Sequence, residues 1–105
     1  MSEGILLRNA RRDDLPSIVR LLADDDLGSQ REKYEEPLPQ SYYAAFEQIS
    51  ADPNHQLIIA ESDGKLIGTL HLMFLPSVSF QGGLRAQIES LRVDKNAETW
   101  GLAGG

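Results

Sequence analysis

The sequence predicts an α+β fold in the order strand, helix, helix, strand, strand, strand, with the sheet mostly antiparallel. Three observations carry that prediction. Apolar residues recur at helical spacing in the first quarter of the chain, an Asp-Gly pair separates two strand-forming runs in the middle, and a further alternating run follows Pro76. With 105 residues, 41% of them apolar, and no internal repeat or linker, residues 1–105 read as one domain.

Ile5 to Arg8 is a short apolar run that fits the first strand. Asp13 and Asp14 then place carboxylates where a helix begins, at the positive end of its dipole. Leu15, Ile18, Val19 and Leu22 share one face of that helix, and Pro16 is tolerated in its first turn. The helix is expected to stop near Asp24-Asp25-Asp26, whose charges oppose its negative end, with Gly28 as a left-handed cap. Ser29 to Gln40, polar and holding Pro37 and Pro39, reads as a long surface loop. Ser41 is the expected cap of a second helix, in which Tyr42, Phe46 and Ile49 share a face and Asp52-Pro53-Asn54 is the end.

Two strands follow, Gln56 to Glu61 and Lys65 to Leu75, joined through Ser62-Asp63-Gly64 in a tight hairpin. Ser77 to Gly83 is a polar connection, and Arg85 to Val93 supplies the last strand. Simple alternation along it sends Gln87, Glu89 and Leu91 to one face and Ile88, Ser90 and Arg92 to the other.

Composition excludes several kinds of chemistry. Without Cys there is no disulfide, thiolate metal cluster or cysteine nucleophile. A net charge of −6 disfavours binding to phosphate backbones, so no nucleic-acid partner is expected. The longest apolar stretch, Leu70 to Leu75, is broken by His71 and falls far short of the roughly 20 residues of a membrane span. The opening Met-Ser-Glu-Gly lacks the features of a signal peptide, so the expectation is a cytoplasmic protein with no membrane partner. His55 and His71 show no ligand spacing, and the Asp24 run lacks the alternate carboxylates of a calcium loop, so no metal site is expected. His71 reads as a packed or surface strand residue.

Four segments give the chain a resemblance to a known family. They are the opening strand and helix (Ile5 to Ile18), the hairpin with Leu66-Ile67-Gly68-Thr69-Leu70, the strand Ile88-Glu89-Ser90-Leu91-Arg92-Val93, and the glycine-rich stretch after it. Together they resemble the N-terminal portion of a GNAT-superfamily N-acetyltransferase, which moves an acetyl group from acetyl-CoA to an amine. The resemblance implies acetyl-CoA as co-substrate, no metal, and a small-molecule or peptide amine as acceptor. In that family the last of these strands lends backbone groups to the pantetheine arm and the thioester carbonyl, which makes Leu91 and Val93 cofactor contacts. The family loop that follows reads Arg or Gln, two residues, Gly, one residue, then Gly or Ala. Here Glu98, Thr99, Trp100, Gly101, Leu102 and Ala103 occupy that register, so Glu98, Gly101 and Ala103 complete the cofactor-binding set, with Glu98 standing where the family has a cation or amide. A complete family domain continues beyond this loop through a helix and further strands, so the resemblance is to an incomplete domain, a partial GNAT fold lacking its C-terminal helix-strand half.

Acetyl transfer needs a neutral amine, and Glu89, on the strand of the cofactor contacts, is the candidate catalytic base. Backbone N–H groups near Leu91 and Val93 are the candidate donors to the developing oxyanion. Tyr34, Tyr42 and Tyr43 flank the acidic loop, where the family commonly builds its acceptor pocket. The last strand is left as an open edge, which predicts a homodimer or higher homo-oligomer. The alternative from another class is a non-catalytic oligomerising or protein-interaction module derived from the same domain.

Overall fold

The computed structural model describes residues 4–95. Its main elements are β1 (Ile5–Asn9), α1 (Leu15–Leu22), α2 (Asp26–Arg31), α3 (Gln40–Ala51), β2 (His55–Ser62), β3 (Lys65–Pro76) and β4 (Leu84–Val93). All four strands form one antiparallel sheet in the order β1-β2-β3-β4. The α+β order predicted from the sequence is therefore present, with α2 and two single turns, Arg12–Asp14 and Ser79–Gly82, added to it.

The core lies between α1, α3 and one face of the sheet. Leu15, Ile18 and Val19 pack with Leu38 and Ile59, and Tyr42, Tyr43, Phe46 and Leu57 close around them. Spacing along α1 thus does what it predicts, because the residues three and four apart meet the same neighbours.

The aspartate run behaves differently from its expectation. α1 does end at Ala23, but the Asp25 side chain then accepts a hydrogen bond from the Gly28 N–H and caps a second helix. Gly28 is accordingly inside α2 and buried, not a left-handed cap. Its lack of a side chain is a matter of space, since a Cβ there would collide with the Leu22 carbonyl oxygen. α2 shortens the predicted loop from its N-terminal side, and the remainder is tied down: the Tyr42 hydroxyl donates to Glu32 at 2.7 Å and accepts the Lys33 N–H at 2.9 Å. Leu38 from the same stretch enters the core. α3 begins at Gln40, with Pro39 rather than Ser41 in the cap position, and Asp52 ends it as predicted.

The β2–β3 hairpin turns through Asp63 (φ 53°) and Gly64 (φ 78°), both left-handed, between the paired residues Ser62 and Lys65. That is the two-residue turn whose twist matches the strands it joins. At the start of the chain the Arg8 guanidinium donates to Asp14 at 2.8 and 3.1 Å and to Glu61 at 3.1 and 3.3 Å, clamping β1 to β2 and to the entry of α1.

Candidate functional site

The site is built around an irregularity in β4. The β3–β4 ladder pairs His71 with Glu89 and then Thr69 with Arg92, so Leu70 alone faces two residues, Ser90 and Leu91. This is a β-bulge, and Ser90 adopts a left-handed backbone with φ 55° to accommodate it. An extra residue leaves its backbone groups out of the ladder, which is where an N–H becomes free to meet a ligand.

The bulge also corrects the simple alternation predicted for this strand. Gln87 and Glu89 pair with Met73 and His71 on the helix face, but Leu91 goes to the opposite face and Arg92, paired with Thr69, returns to the helix face. Glu89 and Leu91 therefore do not share a side. Leu91 and Val93 line an apolar groove of about 250 Å³ on the bare face, with Ile5, Leu7, Ile58 and Leu70. Glu89 is exposed, and its carboxylate accepts a hydrogen bond from the Gln87 amide at 2.8 Å. Ser90 and His71 border a second, largely apolar cavity of about 140 Å³ under α1 and α3, whose walls include Leu15, Ile18, Leu22 and Phe46. β4 near its bulge thus separates an apolar groove from an apolar pocket.

Charge fixes the end of β4 against the helices. The Asp94 N–H donates to the Ile67 carbonyl at 2.8 Å, and the buried Asp94 carboxylate pairs with Arg20 of α1 at 3.3 Å. The buried Nε of Arg92 stands 3.7 Å from the Asp25 carboxylate, and Lys95 lies 3.8 Å from Asp24. The acidic run after α1 is thus the counter-charge for the cations that follow the bulge, a use that its sequence alone does not reveal.

Both histidines meet at this site. Nδ1 of His55 and Nε2 of His71 are 2.9 Å apart, and Nε2 of His55 lies 3.6 Å from the Asp52 carboxylate at the end of α3. Burial lowers the pKa of His71, the neighbouring His55 lowers it further, and Glu89 opposes them. His71 is therefore held neutral over a wider range of pH than a free imidazole. The sequence offers no spacing that joins the two rings. Of the aromatic candidates, Tyr42 and Tyr43 pack against the core, Arg12 stacks over the Tyr43 ring at 4.3 Å, and Tyr34 is exposed. Glu98, Gly101 and Ala103 lie outside the described residues. Among the described residues no group of three or more His, Asp or Glu side chains is placed to hold a metal ion, and no helix is long and apolar enough to cross a membrane.

A model of the Acetyltransferase (GNAT) family matches residues 18–104 of this chain. Among solved structures, a transcriptional regulator from Bacillus halodurans C-125 is 40% identical with a TM-score of 0.88, and the match covers 96% of this chain and 67% of that one. Glucosamine-6-phosphate N-acetyltransferase from Arabidopsis thaliana is 21% identical with a TM-score of 0.70, covering 95% of this chain and 67% of the other. An acetyltransferase from Trypanosoma brucei is 21% identical with a TM-score of 0.69, covering 96% and 68%. The chain thus spans about two thirds of the length of these structures. Comparison with curated proteins gives no match.

Proposed function

The chain belongs to the acetyltransferase (GNAT) family, and from that premise we propose that residues 1–105 are the acetyl-CoA-binding portion of an N-acetyltransferase acting on a small-molecule or peptide amine. The single observation that carries this reading is the β4 bulge, which frees backbone at Ser90 and Leu91 between a groove and a pocket. Acetyl-CoA supplies the activated thioester. Leu91 and Val93 offer backbone groups to its pantetheine arm, and the N–H freed at the bulge donates to the thioester oxygen as it becomes an oxyanion. Glu98, Gly101 and Ala103, which lie outside the described residues, are the pyrophosphate contacts that the family resemblance implies.

Glu89 is the base in this reading. It sits one residue before the bulge and faces the helix side, where it takes the ammonium proton so that the amine lone pair attacks the acetyl carbon. Collapse of the tetrahedral intermediate would break the C–S bond, with the second nitrogen proton passing to the departing sulfur, so that the products are the amide and the CoA thiol. The apolar walls of the pocket under α1 and α3 favour an acceptor whose body is uncharged.

Calorimetry tests the cofactor step directly. A dissociation constant in the micromolar range, about −8 kcal/mol, is expected for acetyl-CoA, and no heat at millimolar ligand overturns the reading. Glu89→Gln is then expected to lower kcat by about 10²-fold while leaving acetyl-CoA affinity unchanged.

A second reading, a non-catalytic oligomerising module, draws on one specific observation. Among the described residues β4 is a sheet edge whose neighbouring apolar groove is open to solvent, so two copies can pair edges or cover one another's faces. Light scattering separates the cases: a homodimer with no acetyl-CoA binding favours the module, and a dimer that binds acetyl-CoA makes oligomerisation part of the enzyme.

A further inference from the structure

We propose that His55 and His71 form a two-ring proton relay connecting Glu89 to an open cleft beside Asp52. The inference rests on the reading of Glu89 as the base. It concerns a different question, namely where the proton goes once the base has taken it.

The geometry is sequential. Glu89 on β4 and His71 on β3 are direct cross-strand partners on the helix face. His71 uses Nε2 toward Nδ1 of His55 at 2.9 Å, which leaves Nδ1 of His71 as its second site of proton exchange. His55 in turn presents Nε2 toward the Asp52 carboxylate at 3.6 Å. Asp52 and His55 both line a cleft of about 340 Å³ with Asn9, Ser50 and Gln56. His55 therefore commits opposite nitrogens to His71 and to the Asp52 side, and His71 keeps Nδ1 for exchange with its cross-strand partner Glu89, which is what passage through an imidazole requires.

The proton count is balanced. A proton added at Nδ1 of His71 makes an imidazolium, its Nε2 proton passes to Nδ1 of His55, and His55 loses its Nε2 proton to Asp52 or to water in the cleft. One proton enters and one leaves, and no electron moves. Both rings finish in the opposite tautomer and return by exchanging ring protons with water. At 2.9 Å the hydrogen bond between the rings requires one facing nitrogen to carry a proton and the other to accept it, so the two rings cannot both be charged while it persists. The titratable groups facing the pair are Glu89 from β4 and Asp52 from the end of α3, with the Tyr42 ring of α3 on the wall of the cavity that His71 borders, while α1 presents Leu15, Ile18 and Leu22 to that cavity. His71's lowered pKa suits a group that must begin neutral in order to receive.

The test is a histidine ring titration of the intact chain by ¹⁵N NMR, for the wild type and for Glu89→Gln and His55→Gln. Removing the Glu89 charge is expected to lower the His71 midpoint by about 0.3 pH unit or more, and removing His55 is expected to raise it by a similar amount. A His71 midpoint that ignores Glu89→Gln overturns the relay, whether or not the protein turns over substrate. Where turnover is measured, His71→Gln is expected to shift the pH profile of kcat, and an unshifted profile also overturns it. Absence of acetyl-CoA binding in the calorimetry removes the enzymatic reading, and the ring titrations still decide whether Glu89, His71 and His55 act as one unit.

Discussion

The two faces of the sheet are both apolar, yet among the described residues only one is covered. Toward α1 and α3, Ile59 and Ile67 are 0% exposed, whereas on the other side Ile5 is 48%, Leu7 67% and Ile88 58% exposed. Adjacent residues such as Ile58 and Ile59 show the same division within a single strand, since Ile59 is in the core and Ile58 lines the bare groove. A strand apolar on both sides is the pattern of a sheet meant to lie between two layers. Residues 4–95 place helices on one of them. The covered face accordingly sets stability, and the bare face is available for association and for ligand.

The largest effect expected from this division is at the centre of the covered face. Ile59→Ala should cost about 2–5 kcal/mol in chemical denaturation, because the surrounding packing relaxes only partly around the deleted atoms. Leu7→Ala, the equivalent truncation on the bare face, should stay within about 0.5 kcal/mol for the isolated chain. A loss at Leu7 approaching that at Ile59 would mean that the bare face is covered in solution, and a concentration dependence of the loss would identify a second copy as the cover.

A smaller effect is expected where β4 leaves the covered face. Asp94→Ala removes the carboxylate that pairs with Arg20 while the Asp94 N–H bond to Ile67 remains. About 1–3 kcal/mol is expected, at the modest end because Arg20 is partly solvated. The same variant should weaken acetyl-CoA binding more than Leu7→Ala does, since it loosens the strand that carries the bulge. Equal affinities in the two variants would show that the bulge is held by its own ladder and needs no anchor on α1.

The legibility of the sequence follows the same division. α1 was readable because burial alone sets its period, and Leu15, Ile18 and Val19 are where that period places them. The Asp63-Gly64 turn was readable because left-handed backbone at two successive positions admits few residue types. What alternation could not give were the two breaks in register. An unbroken hairpin from the Ser62–Lys65 pair would put Leu72 opposite His55 and send His71 to the other face. The shift between Ala60 and Glu61 puts Met73 there instead, and His71 joins His55 on the helix side. The bulge at Ser90 and Leu91 likewise parts Glu89 from Leu91, which the sequence had placed together. Ser90 is not glycine, so nothing in its identity announced a positive φ. The Asp24 run ends α1 as expected, but its role as counter-charge is hidden in the sequence for a related reason: its partners, Arg92 and Lys95, are near only in space.

The smallest effects belong to titratable groups on the covered side, and they separate by pH. Asp14 is held below the ordinary carboxylate range chiefly by its hydrogen bond with Arg8, against a smaller opposing effect of burial. A depressed carboxylate contributes stability that is present above its unfolded pKa, near 3.9, and is lost as pH falls through the folded value. His71 is depressed by burial first and by His55 second, so its folded form binds fewer protons than the unfolded chain just below pH ~6.5, and stability declines as pH drops from there to the folded pKa. Two limbs should therefore appear in denaturation midpoints measured against pH. Arg8→Gln should flatten only the lower limb, and His71→Gln only the upper. If His71→Gln also leaves the upper limb unchanged, the ring is as solvated in the folded chain as in the unfolded one. The distinction between a covered and a bare face would then fail at the point where the candidate base meets the histidine pair.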